Sequence, residues 1–251
     1  MRMRPLSCSD IPEARVRLCA VSEEAPEVIA ALKKKGIEVV AVPSAPCLPG
    51  PVASHADMQL RTLPGGRALV IPGFKQKERL CEKGIEAVEI WESPQKEYPK
   101  DILLNSLLLG ESCYGLEKGL AAELKAYCAS AGIELVNCAQ GYARCSVAVA
   151  GPGLAITADR ALYRLLCQRG VQCLMIEPGG IMLPGYDTGF VGGCCGLIDK
   201  GLLAFTGSIE KFHQGERIID FLQQHGIRFC SLTDGPMRDI GGILPLMEEE
   251  N

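Results

Sequence analysis

The segment "KKKGIEVVAV" (residues 33–42) follows a pattern that recurs four more times along the chain. Each copy has polar residues, then Gly, then Ile or Val, then a short apolar run. The other copies are "CEKGIEAVEI" (81–90), "ASAGIELVNC" (129–138), "CQRGVQCLMI" (167–176) and "QQHGIRFCSL" (223–232). The five glycines are 38 to 56 residues apart. Self-similarity at such a period is the sequence signature of repeat architectures.

Each glycine follows a segment that predicts a helix. These segments are "EAPEVIAALKKK", "KQKERLCEK", "LEKGLAAELKAYCASA", "ADRALYRLLCQR" and "SIEKFHQGERIIDFLQQH". Gly just past a helix end takes the left-handed conformation that caps the last turn. The short β-branched run after it indicates a buried strand. Each of the five copies therefore predicts the end of a helix, capped by glycine, followed by a strand.

Further strand-like pieces complete each unit. Three of them run directly into a helix: "RALVIPG" (67–73), "GLAITA" (153–158) and "LLAFTG" (202–207). Others precede them: "HADMQLRTL" (55–63), "DILLNSLLLGESCYG" (101–115), "ARCSVAVA" (143–150) and "TGFVGGCCGLI" (188–198). The unit is thus strand, turn, strand, helix, strand. The C-terminal "MRDIGGILPL" (237–246) lacks a following helix, and the N-terminal "RVRLCAVS" (15–22) leads into one, so we expect these ends to complete a ring.

Five such units predict an α/β protein, a fivefold pseudosymmetric α/β propeller formed by a single domain over residues 1–251. A doubly wound parallel sheet is the alternative, because βα alternation is compatible with it. The chain resembles the guanidino-group-modifying superfamily, or penteins, which includes arginine deiminases and amidinotransferases. "SHADMQL", "YPKDILLN", "GYDTGFVGGCCGLI" and "LTDGPMRDIGGILPL" look like an uncharacterised bacterial family of that fold.

The resemblance implies a nucleophilic Cys near the C-terminus, a general acid/base His one repeat earlier, and carboxylates that hold the guanidinium. In this chain Gly185 or Tyr186 stands at the place of the His, and Pro245 or a neighbour at the place of the Cys. No cysteine follows Cys230. Attack on a guanidinium carbon needs a thiolate and a proton donor. We therefore expect no ordinary deiminase activity, and whether the protein is an enzyme stays open.

Acids recur where the units' first strands begin. In repeats arranged around one axis, equivalent positions face that axis. The acids are Asp57, Asp101, Asp187 and Asp239, and Arg144 takes the place in the remaining unit. Their convergence predicts a site for a small cationic ligand, with Tyr98, Tyr142 and Tyr186 as walls and Asn105 and Gln59 as hydrogen-bonding groups. The alternative is that each Asp caps a turn.

A second hypothesis is catalytic. Cys145 lies next to Arg144 near a strand entry, and His55 is the one histidine with a route to the axis. A hydrolase or amidinotransferase acting on a guanidine or amidine C–N bond would then use a relocated thiol, Cys145, with His55 as acid/base. The adjacent Cys194 and Cys195 are instead expected to be packing residues on opposite faces of a strand.

Composition excludes several other classes. The net charge is −4 and the one basic cluster is "KKK" at 33–35, so no nucleic-acid partner is expected. No apolar run reaches the roughly 18 residues of a membrane span, and no signal-peptide core is present, which favours the cytoplasm. The 13 cysteines have no paired metal-ligand spacing, so no metal is expected. "GPGLAIT" (151–157) precedes a strand rather than a helix, so no nucleotide or other cofactor is expected.

Overall fold

Strands and helices alternate along the whole of the computed structural model, which describes residues 2–250. The strands are β1 (Met3–Pro5), β2 (Val16–Ser22), β3 (Glu38–Val42), β4 (Leu60–Leu63), β5 (Arg67–Val70), β6 (Glu86–Glu89), β7 (Leu107–Leu109), β8 (Ser112–Gly115), β9 (Glu134–Asn137), β10 (Val147–Gly151), β11 (Leu154–Thr157), β12 (Gln172–Met175), β13 (Cys195–Asp199), β14 (Leu202–Phe205), β15 (Arg228–Ser231) and β16 (Leu244–Glu249).

Helices of two kinds separate the strands. The α-helices are α1 (Pro26–Lys34), α2 (Ala56–Gln59), α3 (Lys77–Glu82), α4 (Ala122–Ser130), α5 (Ala143–Ser146), α6 (Arg160–Gln168) and α7 (Gly215–Gln224). Short 3-10 helices span Gly50–Val52, Glu117–Gly119, Gly192–Cys194 and Ile209–Lys211. Within residues 2–250, none of these helices has the length and apolar character that crossing a membrane requires.

The described strands form five separate sheets, four of which have the same design. Their strand orders are β4-β5-β6, β7-β8-β9, β10-β11-β12 and β13-β14-β15. In each, the first two strands form an antiparallel pair and the third runs parallel to the second after a helical crossover. The single continuous parallel sheet of the alternative prediction is therefore not the fold.

The fifth sheet joins the two ends of the chain, with the order β1-β16-β2-β3. The C-terminal β16 pairs antiparallel with β2, placing Leu244 opposite Ala20. The strand β2 then pairs parallel with β3 across α1. The C-terminal strand thus takes the place that the first strand has in the other units, as expected from a C-terminal segment with no helix after it.

The repeated Gly-Ile or Gly-Val exit is a helix C-cap in every unit. All five glycines are in the left-handed region, with φ between 68° and 83°. The apolar residue after each glycine donates its amide to the carbonyl five residues earlier, for example Ile37 to Leu32 over 3.1 Å and Ile227 to Leu222 over 2.8 Å. This is the Schellman arrangement, which needs Gly at that position because a Cβ disfavours positive φ.

The most deeply buried strands are the first of each unit. Every residue of β4, β7 and β10 is buried, whereas the third strands β6, β12 and β15 are largely half-buried or exposed. The strand β10 contacts β13, and β13 contacts β16. The first strands β10, β13 and β16 therefore lie next to one another in the interior.

Three pieces expected to be strands begin as helical turns. The segment 55–63 has α2 before β4, 143–150 has α5 before β10, and 188–198 has a 3-10 turn before β13. The reason is local: each first strand is short, and the residues before it turn inward instead of continuing the ladder. This turn decides where the candidate site residues point.

Candidate functional site

Two helical turns place opposite charges at matched positions in the centre. Asp57 is the second residue of α2 and lies three residues before β4, and Arg144 is the second residue of α5 and lies three residues before β10. Both side chains are almost completely buried. Burying a charge is costly without a partner, so the contacts of these two residues define the site.

Asp57 is held by a thiol. The Sγ of Cys145 donates to Oδ2 of Asp57 over 2.9 Å. The Nδ2 of Asn105 donates to Sγ of Cys145 over 3.1 Å, and Oδ1 of Asn105 accepts the amide of Arg144 over 3.0 Å. Asn105 thereby fixes the α5 turn, while Gln59 donates to the carbonyls of Pro43 and Ala53 and shapes a loop.

His55 and Asp239 complete the cluster. The Nδ1 of His55 lies 3.7 Å from Oδ1 of Asp239, a distance too long for a hydrogen bond. The carboxylate of Asp239 accepts the amides of Phe190 over 2.8 Å and Gly241 over 3.0 Å. His55 and Asp239 both act electrostatically on Asp57. We refer to His55, Asp57, Asn105, Arg144, Cys145 and Asp239 as the central cluster.

Glycines around the central cluster make room for it. A Cβ on Gly193 would overlap the carboxylate of Asp239, and a Cβ on Gly241 would overlap His55. A Cβ on Gly192 would overlap backbone carbonyls of the α5 turn. The glycines of "VGGCCG" and "DIGG" are therefore needed because the backbone there passes directly against Asp239, His55 and the α5 turn.

The protonation of Asp57 follows from its surroundings. Burial raises the pKa of Asp57 most, the charges of His55 and Arg144 lower it, and Asp239 raises it, so that the pKa is about 6. Desolvation disfavours the carboxylate more than its neighbours favour it. Asp57 is thus poised to change protonation a little below neutral pH.

Cys145 has the opposite of an activated thiol environment. Burial and the charges of Asp57 and Asp239 raise its pKa well above the usual value of a thiol. A reactive thiol needs electropositive surroundings, and the adjacent Arg144 was expected to supply them. The structure corrects that reasoning, because the guanidinium of Arg144 is shared with another carboxylate.

That carboxylate is Asp10, which sequence reasoning missed. Its Oδ2 lies 2.6 Å from Nη2 of Arg61 and 3.3 Å from Nε of Arg144, and all three side chains are buried. Burial alone would raise the pKa of Asp10, but the charges of Arg144 and Arg61 outweigh burial and hold it below its usual value. Among residues 2–250, Asp10 is the one non-glycine residue with positive φ. Asp tolerates that conformation in turns, so "SCSDIP" carried a turn signal but no indication of its partners.

Asp101 lies beside the central cluster and is bound by a tyrosine. The hydroxyl of Tyr142, at the start of the α5 turn, donates to Oδ2 of Asp101. Burial raises the pKa of Asp101 although this hydrogen bond lowers it. The pKa of Tyr142 is raised by burial and by the same bond to Asp101. The proton of this hydrogen bond therefore stays on the hydroxyl of Tyr142, and Asp101 accepts it.

Aromatic rings follow from Asp101 toward the surface. The ring centroids of Tyr98 and Tyr142 are 5.9 Å apart, and those of Tyr142 and Phe190 are 6.0 Å apart, with the planes tilted by 34° and 31°. Tyr186 acts electrostatically on Tyr142. We call Tyr98, Tyr142, Tyr186 and Phe190 the aromatic group. Three of these were expected as walls, and Phe190 was not.

Several buried polar atoms of this region have unused hydrogen-bonding capacity. Among the described residues, Oδ1 of Asp57, Oδ1 of Asp101 and Nδ1 of His55 have no hydrogen-bond partner. Most buried polar atoms in proteins are paired. Their side chains lie in the central cluster or next to it, which marks this end of the first strands as the candidate site.

One acid predicted for the site does not reach it. Asp187 is exposed and lies eight residues before β13, whereas Asp57 lies three residues before β4. Asp57, Asp101 and Asp239 are buried and Asp187 is exposed, so Asp187 lies outside the buried cluster, and a ligand site formed by all four acids stays a prediction. The irregular spacing between units moved Asp187 out of the matched position, which Gly192 occupies.

The paired cysteines also depart from expectation. Cys194 ends a 3-10 turn and Cys195 begins β13, so the two are not consecutive strand residues. Both thiols donate to the carbonyl of Val191, over 3.1 and 3.3 Å. Burial raises the pKa of Cys195 to about 12 and raises the pKa of Cys194 well above the usual value of a thiol. They are packing residues that point the same way.

In the described part of the chain, the metal-ligating side chains, the cavities and the "GPG" stretch give no evidence of a second site near the central cluster. Within residues 2–250, no group of three or more His, Cys, Asp or Glu side chains is arranged to hold a metal ion. A cavity of about 440 Å³ is lined by Cys8, Ile11, Pro152 and Gly201, among others, and lies at the hairpin turns rather than at the central cluster. The "GPG" stretch forms the turn between β10 and β11.

Solved structures share this fold. An inosamine-phosphate amidinotransferase from Streptomyces griseus superposes with a TM-score of 0.56 at 13% identity, covering 99% of this chain and 98% of that chain. An amidinotransferase of saxitoxin biosynthesis from Microseira wollei has a TM-score of 0.57 at 10% identity, covering 98% of both chains. DDAH from Pseudomonas aeruginosa, in complex with citrulline, has a TM-score of 0.53 at 10% identity, covering 88% of this chain and 96% of that chain. The pentein fold predicted from the sequence is confirmed.

Sequence comparisons are less informative. A family model described as "Family of unknown function (DUF6873)" matches residues 20–244. No functionally curated protein matches the chain. Identities of 10–13% establish the fold alone, so function must be argued from the residues of the site.

Proposed function

The chain belongs to the family of unknown function DUF6873, and we propose that this member binds a small organic cation at Asp57, Asp101 and Asp239. The cationic head is a guanidinium or an amine. The observation that carries the proposal is Oδ1 of Asp57, a buried carboxylate oxygen without a hydrogen-bond partner among the described residues.

The balance of buried charge supports a cationic ligand. The buried cations Arg61 and Arg144 both contact Asp10. Asp10 neutralises one of the two positive charges of Arg61 and Arg144. The ionised carboxylates of Asp57 and Asp239 carry two negative charges, which exceed the one positive charge that remains, and His55 is the remaining nearby basic group. An uncompensated buried carboxylate is either protonated or paired. A bound cation pairs Asp57 and keeps it ionised at neutral pH.

The two unpaired carboxylate oxygens favour a head with several donors. Oδ1 of Asp57 and Oδ1 of Asp101 are acceptors without partners, and the guanidinium is a planar group with five N–H donors that match carboxylates. An amine satisfies the same acceptors with three donors in a less fixed arrangement. We therefore expect guanidinium compounds to bind more tightly than the corresponding amines.

The proposal includes the arrangement of the sheets. We propose that the five sheets surround one axis as a fivefold pseudosymmetric propeller that the β16–β2 pairing closes. Support comes from the burial of the first strands and from the contacts of β10 with β13 and of β13 with β16. The central cluster then lies at one end of that axis. A crystal structure with the five sheets in any other order would contradict this arrangement.

Thiol chemistry is the second candidate, and one contact favours it: Cys145 lies in the site, bonded to Asp57 and Asn105. In that hypothesis Cys145 attacks the carbon of a guanidine or amidine, and His55 protonates the leaving amine. The raised pKa of the Cys145 thiol opposes it. Release of ammonia or an amine from a bound guanidine, lost in Cys145→Ala, would establish this function in place of simple binding.

Calorimetric titration tests the binding proposal. Methylguanidine, methylamine and arginine are titrated into the wild type and into Asp57→Asn, Asp101→Asn and Asp220→Asn. Asp220 is an exposed acid of α7 and serves as the matched control. We expect binding of methylguanidine that falls about tenfold or more in Asp57→Asn, since a charge-assisted pair is lost, and is unchanged in Asp220→Asn. Equal binding by all variants, or no binding of any cation, contradicts the proposal.

A further inference from the structure

We infer that the cation carries an aryl substituent, which the aromatic group binds while the central cluster holds the charged head. The ligand class is therefore an arylalkyl guanidine or amine rather than an amino acid. This inference rests on the proposed function and adds to it the nature of the rest of the ligand.

The aromatic group is continuous with the acids. Tyr142 donates to Asp101, and the amide of Phe190 donates to Asp239. The rings of Tyr98, Tyr142 and Phe190 are neighbours at 5.9 and 6.0 Å. Such separations are those at which aromatic rings attract one another. When the head of a ligand reaches Asp101, the rest of the ligand therefore lies against the rings of the aromatic group.

The outer members of the aromatic group are exposed to an unusual degree. Tyr98 is 51% exposed, Tyr186 is 47% exposed, and Met182, which lines the same depression as Tyr186, is 50% exposed. Single exposed apolar side chains are ordinary, but several together beside a polar site mark a binding surface. A surface depression of about 390 Å³ is lined by Met182, Pro184, Tyr186 and Asp187.

Tyr98 is seated against backbone rather than left loose. A Cβ on Gly141 would lie 2.6 Å from Cε2 and 2.7 Å from the hydroxyl oxygen of Tyr98, closer than atoms pack. Glycine at position 141 thus lets the Tyr98 ring lie directly against the chain. A ring that is already positioned loses little conformational entropy when a ligand stacks on it.

The surrounding charges disfavour an amino-acid ligand. A carboxylate on the ligand would need a free cation, and Arg61 and Arg144 are bound to Asp10. Arg238 pairs with Met182 in a β-bridge, but its guanidinium contacts Glu27 over 3.4 Å. The exposed Asp187, in the same loop as Tyr186, repels a carboxylate there. An uncharged aromatic tail needs no cationic partner and is not repelled by that acid.

Competitive calorimetry with matched ligands tests the inference. Benzylguanidine and methylguanidine have the same head and differ in the ring, and arginine adds a carboxylate. We expect benzylguanidine to bind about tenfold more tightly than methylguanidine, as stacking on aromatic side chains provides, and arginine to bind more weakly than both.

Three variants and one control assign the preference to the aromatic group. Tyr98→Ala and, independently, Tyr186→Ala are expected to reduce the benzyl preference, Tyr98→Phe to retain it, and Tyr163→Ala, on the unrelated α6, to leave it unchanged. Binding of both guanidines with equal affinity, or a preference that survives both Ala variants, overturns this inference and leaves the proposed function standing. If neither guanidine binds, the proposed function fails and this inference fails with it.

Discussion

The thiol of Cys145 donates a hydrogen bond of 2.9 Å to the carboxylate of Asp57, a residue 88 positions earlier in the chain. The bond joins the turn before one first strand to the turn before another. It leaves one oxygen of Asp57 occupied and one free. A thiol that donates to a carboxylate acts as a structural partner, which is why the site is better suited to binding a cation than to thiolate attack.

The first prediction concerns the reactivity of that thiol. At pH 7.5 the native protein should be alkylated by iodoacetamide at the exposed Cys8, Cys81 and Cys167, and not at Cys145, because burial and two carboxylates keep its pKa high. Peptide mass spectrometry over a time course measures the rates. Alkylation of Cys145 at the rate of the exposed cysteines would show that it is a reactive thiol.

The second prediction is a pH dependence of stability set by Asp57. Its pKa is raised to about 6 in the folded protein from 3.8, so its stabilising contribution is complete below pH 3.8 and is lost as the pH rises through 6. Each pKa unit corresponds to about 1.4 kcal/mol, which makes the loss about 3 kcal/mol.

The variant Asp57→Asn isolates this effect. Its free energy of unfolding relative to the wild type should increase by about 3 kcal/mol between pH 4 and pH 7.5. Urea unfolding across that range measures it, with Asp220→Asn as a control whose difference from the wild type stays constant. Parallel profiles for Asp57→Asn and the wild type would mean that the pKa of Asp57 is not raised.

The third prediction concerns the buried ion pairs of Asp10. Replacing it in Asp10→Asn leaves Arg61 and Arg144 without their carboxylate. Removing one partner of a buried charge pair typically costs about 3–5 kcal/mol. Urea unfolding at pH 7.5 should show a loss of that order, and Asp220→Asn should show almost none. A loss no larger than that of Asp220→Asn would place Asp10 outside the interior.

The fourth prediction concerns the glycines that the acids require. In Gly193→Ala the new methyl group would overlap the Asp239 carboxylate, so Asp239 must move. Overpacking of this kind costs about 1–3 kcal/mol, and methylguanidine binding should weaken. Gly50→Ala is the matched control, because a Cβ there meets no atom within 4 Å. Equal effects of the two substitutions would contradict the close packing of Asp239.

Sequence reasoning was most effective where local chemistry and topology agree. A glycine followed by Ile or Val after a helix has one common structural explanation, and five copies predicted the order of strands and helices. The C-terminal segment has no helix after it and the N-terminal strand leads into one, so the two ends were expected to join, as the pairing of β16 with β2 does. These signals are local in sequence, so no knowledge of distant contacts was needed.

The site was less accessible to sequence reasoning because it depends on register. Asp57 and Arg144 sit at the same offset from their strands, but Asp187 and Asp239 precede theirs by eight and five residues. Asp10 belongs to no repeat at all and reaches the center through a turn with φ of 63°. An alignment of the units by their acids could therefore identify Asp57 and Asp239 as candidates. It could not exclude Asp187, and it could not find Asp10.

The most direct test of the account is a crystal structure of the protein with methylguanidine bound. The guanidinium should lie within about 3 Å of Oδ1 of Asp57, with the bond from Cys145 to Oδ2 retained. A guanidinium bound at another surface, with Oδ1 of Asp57 still unpaired, would contradict the claim that the central cluster is a cation site.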